Sequence, residues 1–369
     1  MSFRNSWRIA VLVLAGCFVP SGDGVGCASE RRSGKATLAP ERPDFVVRRG
    51  DKLFLDGKRY RFTGVNIYSL TSSPASTGHF FCGIGYTDER VRKALDELSA
   101  VHVNAVRIRA YQSFTEGGRY FDRLDFVLAE LRKRGMKAVI TFESQWEVCT
   151  EGGYKFSSWY RSGYKRPYGE YRMSYRDYAY KVAARYKDEP AVLMWQLMNE
   201  AESVTSADLT DPEAVLDFTR DMAAVVKKAD PNHLLSVGTT GVVQSGSGGP
   251  FYALLHQIDG IDIVEAHDYK NDWQAMPQDI WLGIATARAI GKPFFIGEVG
   301  IPFPQFTKPM RAHLLHKKMN AAWQEGVDGV LIWSYQAGDA IHDIGPKDPF
   351  MGVMRQFNAA RHIAPKPPK

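Results

Sequence analysis

A chain of 369 residues is long enough for two average domains, or for one large α/β barrel, which alone takes about 250 residues. Hydrophobic residues make up 44% and charged residues 24%, the balance of an ordinary globular protein, so disorder is expected only at the ends. The formal net charge of +6 raises nucleic acid as a partner. Lys and Arg are dispersed, however, and no nucleic-acid motif accompanies them, so no nucleic-acid binding is expected.

Residues 1–19 carry Arg4 and Arg8 before an apolar run over 9–19 that is too short to cross a bilayer and suits a signal peptide. Export follows, to the cell surface or beyond it. Leu14-Ala15-Gly16-Cys17 is similar to a bacterial lipoprotein processing box, which implies a lipidated Cys17 as the mature N-terminus. Residues 20–43, rich in Gly, Ser, Pro and Arg, read as a flexible tether, and Arg31, Arg32, Lys35, Arg42, Arg48 and Arg49 of the N-terminal stretch hold part of the basic excess as a solvated linker. With Cys17 modified and Cys27 in the tether, Cys82 and Cys149 remain in the domain, to pair as an oxidising compartment allows or to stay as two buried thiols.

From residue 45 the chain alternates in short periods, with an Asp56-Gly57 turn between strand-like runs, and predicts a hairpin at the bottom of a barrel. Eight apolar strands follow, at 61–66, 104–109, 137–142, 192–198, 234–238, 261–267, 293–298 and 329–333. Helical patterns separate them, at 88–99, 120–134, 175–186, 213–228 and 308–324, with a weaker one near 252–257. Phe121, Leu124, Val127, Leu128 and Leu131 fall on one helical face. The βαβ rhythm without a G-x-G-x-x-G first turn points to a closed (β/α)8 barrel over 44–362, with a tail at 363–369, rather than a doubly wound sheet.

In a parallel barrel, chemistry belongs at the C-terminal ends of the strands. Asn199 and Glu200 follow the fourth predicted strand and Glu298 ends the seventh, which sets two carboxylates facing each other across the mouth. Paired carboxyl groups about 5–5.5 Å apart are what glycoside hydrolysis with retention requires, one attacking the anomeric carbon and one moving a proton. Standing alone, each Glu reads equally well as a cap or a salt-bridged acid; together they favour catalysis.

Trp195-Gln196-Leu197-Met198-Asn199-Glu200 and Gly297-Glu298-Val299-Gly300 resemble the family-5 glycoside hydrolases, the endo-β-1,4-mannanases most of all, over about residues 53–333. The resemblance implies Glu200 as acid/base and Glu298 as nucleophile. It implies Arg107 and Tyr269 beside the nucleophile, His267 near the acid/base, and Asn199 on the sugar 2-hydroxyl. It makes Trp333 the platform under the sugar, with Trp146, Gln145, Asn66 and Trp273 shaping subsites. No cofactor or metal is implied, the partner is a polysaccharide or oligosaccharide, and the chain is expected to be a monomer. Arg109 and Gln145 depart from the pattern, where mannanases tend to carry tryptophan and asparagine. Glucan backbones therefore stay open as substrate, transglycosylation as outcome, and a non-catalytic sugar-binding barrel as the rival class. The loop 143–173 carries eight aromatic residues, among them Trp146, Tyr154 and Phe156, and is expected to form one wall of the cleft.

Overall fold

The computed structural model describes residues 42–72, 85–147, 149–150, 152–169, 171–270 and 274–367. Cys17, Cys82 and Trp273 lie outside the described residues, and with them the lipid anchor, the Cys82–Cys149 pairing and one expected subsite residue.

Three short strands, β1 (Val46–Arg49), β2 (Lys52–Leu55) and β3 (Lys58–Tyr60), form an antiparallel sheet, with Asp56 and Gly57 at positive φ in the turn between β2 and β3. The expected hairpin thus has a third strand. Eight parallel strands follow: β4 (Phe62–Asn66), β5 (Ala105–Arg109), β6 (Lys137–Thr141), β7 (Val192–Gln196), β8 (Leu234–Ser236), β9 (Val264–Asp268), β10 (Phe294–Val299) and β11 (Gly329–Ile332). The ladder runs β8-β7-β6-β5-β4-β11-β10-β9. Between β8 and β9 it is open, and single bonds from Asp262 N to Leu235 O (2.8 Å) and His267 N to Thr240 O (3.0 Å) span the seam. All eight expected strands are present, with ends moved by up to three residues.

The strands are buried on both faces, and apolar residues dominate them except where polar side chains turn into the barrel. Outward residues such as Val106, Ile108, Ile140, Trp195 and Ile296 pack under the helices. Inward residues at the lower ends, among them Phe62, Ala105, Val139, Met194, Leu234, Phe295 and Leu331, form a separate cluster with Val46, Leu53, Leu55 and Tyr60 of the small sheet. The sheet therefore plugs the barrel, as the Asp-Gly turn suggested.

The outer helices are α1 (Asp88–Ser99), α2 (Asp122–Lys133), α3 (Ser157–Arg161), α4 (Tyr175–Tyr186), α5 (Pro212–Ala229), α6 (Pro250–Gln257), α7 (Gln278–Ile290), α8 (Lys308–Gln324) and α9 (Pro349–Ala359). Thr87, Ser174 and Thr307 cap α1, α4 and α8 by accepting a backbone N–H from the first turn. Beyond α9 the described residues, through 367, stay on the barrel. Ile363 is buried, and Lys366 N donates to Gly135 O at 3.0 Å, which gives this segment both an apolar and a backbone anchor.

Candidate active site

Above the apolar plug the inward residues change character. Arg107, Gln196 and Glu265, from β5, β7 and β9, are all almost fully buried and bonded to one another. Arg107 Nε and Nη2 donate to Gln196 Oε1 at 2.9 and 2.6 Å, while Gln196 Nε2 donates to Glu265 Oε1 at 2.5 Å. This polar layer is the floor of the mouth. A buried charge is stable only when paired and hydrogen-bonded.

Arg107 meets that requirement by facing the end of β10. Its Nη1 donates to Glu298 Oε1 at 2.5 Å and to Asn66 Oδ1 at 3.0 Å, and Nη2 donates to Asn199 Oδ1 at 2.7 Å. Tyr269 donates its hydroxyl to Glu298 Oε2 at 2.5 Å. Burial and the Glu298 and Glu200 carboxylates push the Tyr269 phenol well up, so it stays a donor. Both Glu298 oxygens are held in place. The glycines beside it are dictated by close approach: a Cβ on Gly297 would stand 2.3 Å from Glu265 Oε1, and one on Gly300 would stand 2.3 Å from the Tyr269 ring.

Glu200 sits just past β7 with φ 60°, a conformation uncommon for a residue with a side chain. Its backbone is fastened from the neighbouring loop, where Gln244 Nε2 donates to Glu200 O at 2.7 Å. The carboxylate accepts from Trp146 Nε1 at 2.6 Å and from His267 Nδ1 at 2.7 Å. His267 also turns Nε2 towards Glu265 Oε1 at 3.4 Å, and its Nδ1 lies 3.6 Å from Glu298 Oε2. Although burial opposes charge, these carboxylates, Glu298 first, raise its pKa to about 10, so it stands as an imidazolium at neutral pH. Burial pushes the Glu200 carboxyl up, but the His267 and Trp146 hydrogen bonds outweigh it and leave its pKa below the ordinary value.

Oxygens of Glu200 and Glu298 and a ring nitrogen of His267 all lie within 4.8 Å of one another. That spacing suits a retaining pair and falls short of the 6.5–9.5 Å that inversion needs for an interposed water. The same three donors are, among the described residues, a group with the reach to hold a metal ion, but their polar atoms are already engaged with one another and with Arg107, Tyr269 and Trp146.

Trp333, half-buried just past β11, stacks on Tyr68 with ring centroids 5.3 Å apart, donates Nε1 to Asp339 at 2.9 Å, and is followed by a cis peptide to Ser334. Arg109 lies one inward step above Arg107 on β5, with its guanidinium 4.7 Å from the Tyr68 ring and 4.9 Å from the Tyr111 ring. It is packed into the wall rather than laid open as a platform.

Two expected sugar contacts are placed elsewhere. Asn66 is 1% exposed and spends its amide on Gly297 O and Ile332 O while its oxygen serves Arg107. Gln145 is wholly buried; its amide donates to Lys155 O, and its oxygen accepts from the Tyr160 hydroxyl and Glu202 N. Neither has free surface for a sugar. The aromatic loop also divides. Trp146, Tyr154 and Phe156 form a chain beside Glu200, with successive centroids 5.8 and 4.8 Å apart, whereas Trp159, Tyr160 and Tyr164 pack on Phe218 of α5.

Gln196 and Glu265 belong to the site and were not singled out from the sequence. The period-2 alternation places Gln196 and Glu265 on the inward face, two residues from lower-core positions, and that was the available signal.

Against known proteins, the family model described as cellulase (glycosyl hydrolase family 5) matches residues 64–339. Mannan endo-1,4-beta-mannosidase 1 of Oryza sativa is 28% identical over 357 residues, covering 81% of this chain and 77% of the relative. Probable mannan endo-1,4-beta-mannosidase F of Emericella nidulans is 28% identical over 345 residues, covering 82% and 73%. The crystal structure of an endo-1,4-beta-mannanase from Rhizomucor miehei superposes with a TM-score of 0.68 at 19% identity, covering 86% of this chain and 99% of that one.

Proposed function

The chain belongs to glycosyl hydrolase family 5, and we propose that it cleaves β-1,4-mannan or glucomannan internally by double displacement, with Glu298 as nucleophile and Glu200 as acid/base. The observation that carries this is the pair of carboxylates within 4.8 Å, one clamped by Arg107 and Tyr269, the other hydrogen-bonded to an imidazolium.

The roles follow from the partners. Glu298, with Arg107 on one oxygen and Tyr269 on the other, is the carboxylate fitted to attack the anomeric carbon as the glycosidic C–O bond breaks. The departing oxygen takes a proton from Glu200. His267 stands 2.7 Å behind it and holds a proton that can pass along that hydrogen bond, so the pair supplies an acid although Glu200 alone is a depressed carboxyl. In the second half, Glu200 as carboxylate takes a proton from water, the water oxygen attacks the anomeric carbon, and Glu298 leaves. Asn199, whose Oδ1 accepts from Arg107, is assigned to the sugar 2-hydroxyl, and Trp333, stacked on Tyr68, to the face of the ring.

The mannan reading is supported by the names of the relatives and by the end of β6, where Phe142-Glu143-Ser144-Gln145 holds no histidine. Export by residues 1–19 and retention through Cys17 complete the proposal. Initial rates on manno- and cello-oligosaccharides of equal length test the substrate, with product sizes from mannan reporting internal cleavage. A higher kcat/KM on the manno-series is expected; an equal or higher value on the cello-series would move the enzyme to glucans.

A further inference from the structure

At the end of the barrel opposite the active site, the starts of the strands, the small sheet and the segment after α9 enclose a cavity of about 540 Å³. This is the size of a small-molecule site, not of an ion hole. Its wall carries Lys58, Arg59, Arg61, Arg361 and Lys366, with Asp56 as the acid among them. Five cations therefore meet one lining carboxylate.

The pairing shows which charges are unspent. Arg59 is neutralised by Asp328 at 2.5 Å, and Lys366 is bridged to Asp56. Arg61 donates only to carbonyls, those of Val327 at 2.6 and 2.9 Å and of Trp323 at 3.0 Å, while its guanidinium lies 3.3 Å from the centre of the Trp323 ring. Arg361 donates to Phe357 O at 3.2 Å and Asn320 Oδ1 at 2.5 Å, and its Nε is buried without a partner. Carbonyls satisfy hydrogen bonds without cancelling charge. Arg61, Arg361 and the exposed Lys58 thus face one cavity as cations that no carboxylate among the described residues pairs. The crowding registers on Arg61, whose pKa is brought down to about 10 by burial and by Arg59 and Arg361, against the pull of Asp328.

We propose that this cavity is a binding site for a phosphate-bearing anion, a phosphate ester of the size of a sugar phosphate or a lipid headgroup. Guanidinium groups suit phosphate because their planar forks match its oxygens, and a recessed site of one sign concentrates anions. The volume left beyond the phosphate takes the alcohol part, with the Trp323 ring on one side. The site is remote from Glu200 and Glu298, so its occupation leaves glycoside cleavage unchanged and does not depend on the substrate reading.

The test uses the full chain. Thermal unfolding is followed in inorganic phosphate or sn-glycerol 3-phosphate at about 10 mM, against sodium chloride of equal ionic strength, where a ligand specific to the folded state raises Tm. The wild type is expected to gain about 2 °C or more, and the Lys58→Gln/Arg361→Gln variant to lose that gain while keeping kcat/KM. Lys58→Glu, on an exposed side chain, repeats the measurement should the double variant fold poorly. Equal shifts in phosphate and chloride, or an undiminished shift in a folded variant, would overturn the proposal. Sedimentation with phosphatidylcholine vesicles, with and without phosphatidylglycerol, then identifies the source. Stronger retention of wild type than variant on the anionic vesicles assigns a headgroup, and equal retention alongside the Tm difference assigns a soluble phosphate ester.

Discussion

Glu298 and Glu200 differ in what holds them, and that difference is testable in single residues. Glu298→Ala and Glu200→Ala should each lower kcat on natural substrate by roughly 10³-fold or more, because each removes a group to which the proposal gives a part in the covalent step. Azide separates the two. With an activated aryl glycoside, Glu200→Ala should still form the covalent intermediate, and azide should then yield the β-glycosyl azide. Glu298→Ala should yield the α-azide or nothing, and the reverse pattern would exchange the roles. On the proposed mechanism His267 should govern the alkaline side of the pH profile. With the imidazolium raised to about 10, the Glu200–His267 pair keeps a proton well above neutral pH. Without the ring, Glu200 alone must hold it, so His267→Ala should move the alkaline limb of kcat/KM acidward by more than about one pH unit. A limb that stays in place would mean that the proton is stored elsewhere. The stability sign follows from the same shift. His267 is more basic folded than unfolded, so its contribution is full below about pH 6.5 and is lost as pH rises towards 10.

At the level of elements, the loop after β6 is stapled to the barrel from beneath. Glu143, 0% exposed, receives the Tyr168 hydroxyl and lies 3.8 Å from Lys155 Nζ, and Gln145 ties Lys155, Tyr160 and Glu202 together. Gln145→Leu would leave a carbonyl, a hydroxyl and an amide without their partner, at about 1–3 kcal/mol for each buried group. A fall in Tm and faster proteolysis within the loop are expected. Restored activity at low temperature with unchanged KM would separate this holding role from direct sugar contact, which would raise KM at every temperature.

For the whole molecule, the two proposed sites lie at opposite ends of the barrel. The cleft occupies the C-terminal ends of the strands, and the small sheet and the basic cavity occupy the other. No helix among the described residues is long and apolar enough to cross a membrane. The motif at Cys17 predicts that the mature protein begins at a lipidated cysteine and fractionates with membranes. Cys17→Ser should release it or leave it unprocessed, as mass spectrometry of the N-terminus would show. An unmodified terminus downstream of residue 17 would leave ordinary secretion instead.

Local chemistry settled a good deal from the sequence alone. The eight strands were legible because short apolar stretches recur between helical patterns in a βαβ rhythm, even where charged residues such as Arg107 and Glu265 interrupt them. The two glutamates were legible because strand ends can be located from those runs. What the runs cannot carry is the identity of cross-barrel neighbours. That Asn66 supports Arg107, that Gln145 is turned into the loop, and that Gln196 and Glu265 link the charged floor depends on which strand ends meet, a matter of barrel register. The same holds for charge. Lys and Arg look dispersed along the chain, yet folding brings Lys58, Arg61 and Arg361 to one cavity, because contacts between the first strands and the last helix exist only once the barrel closes.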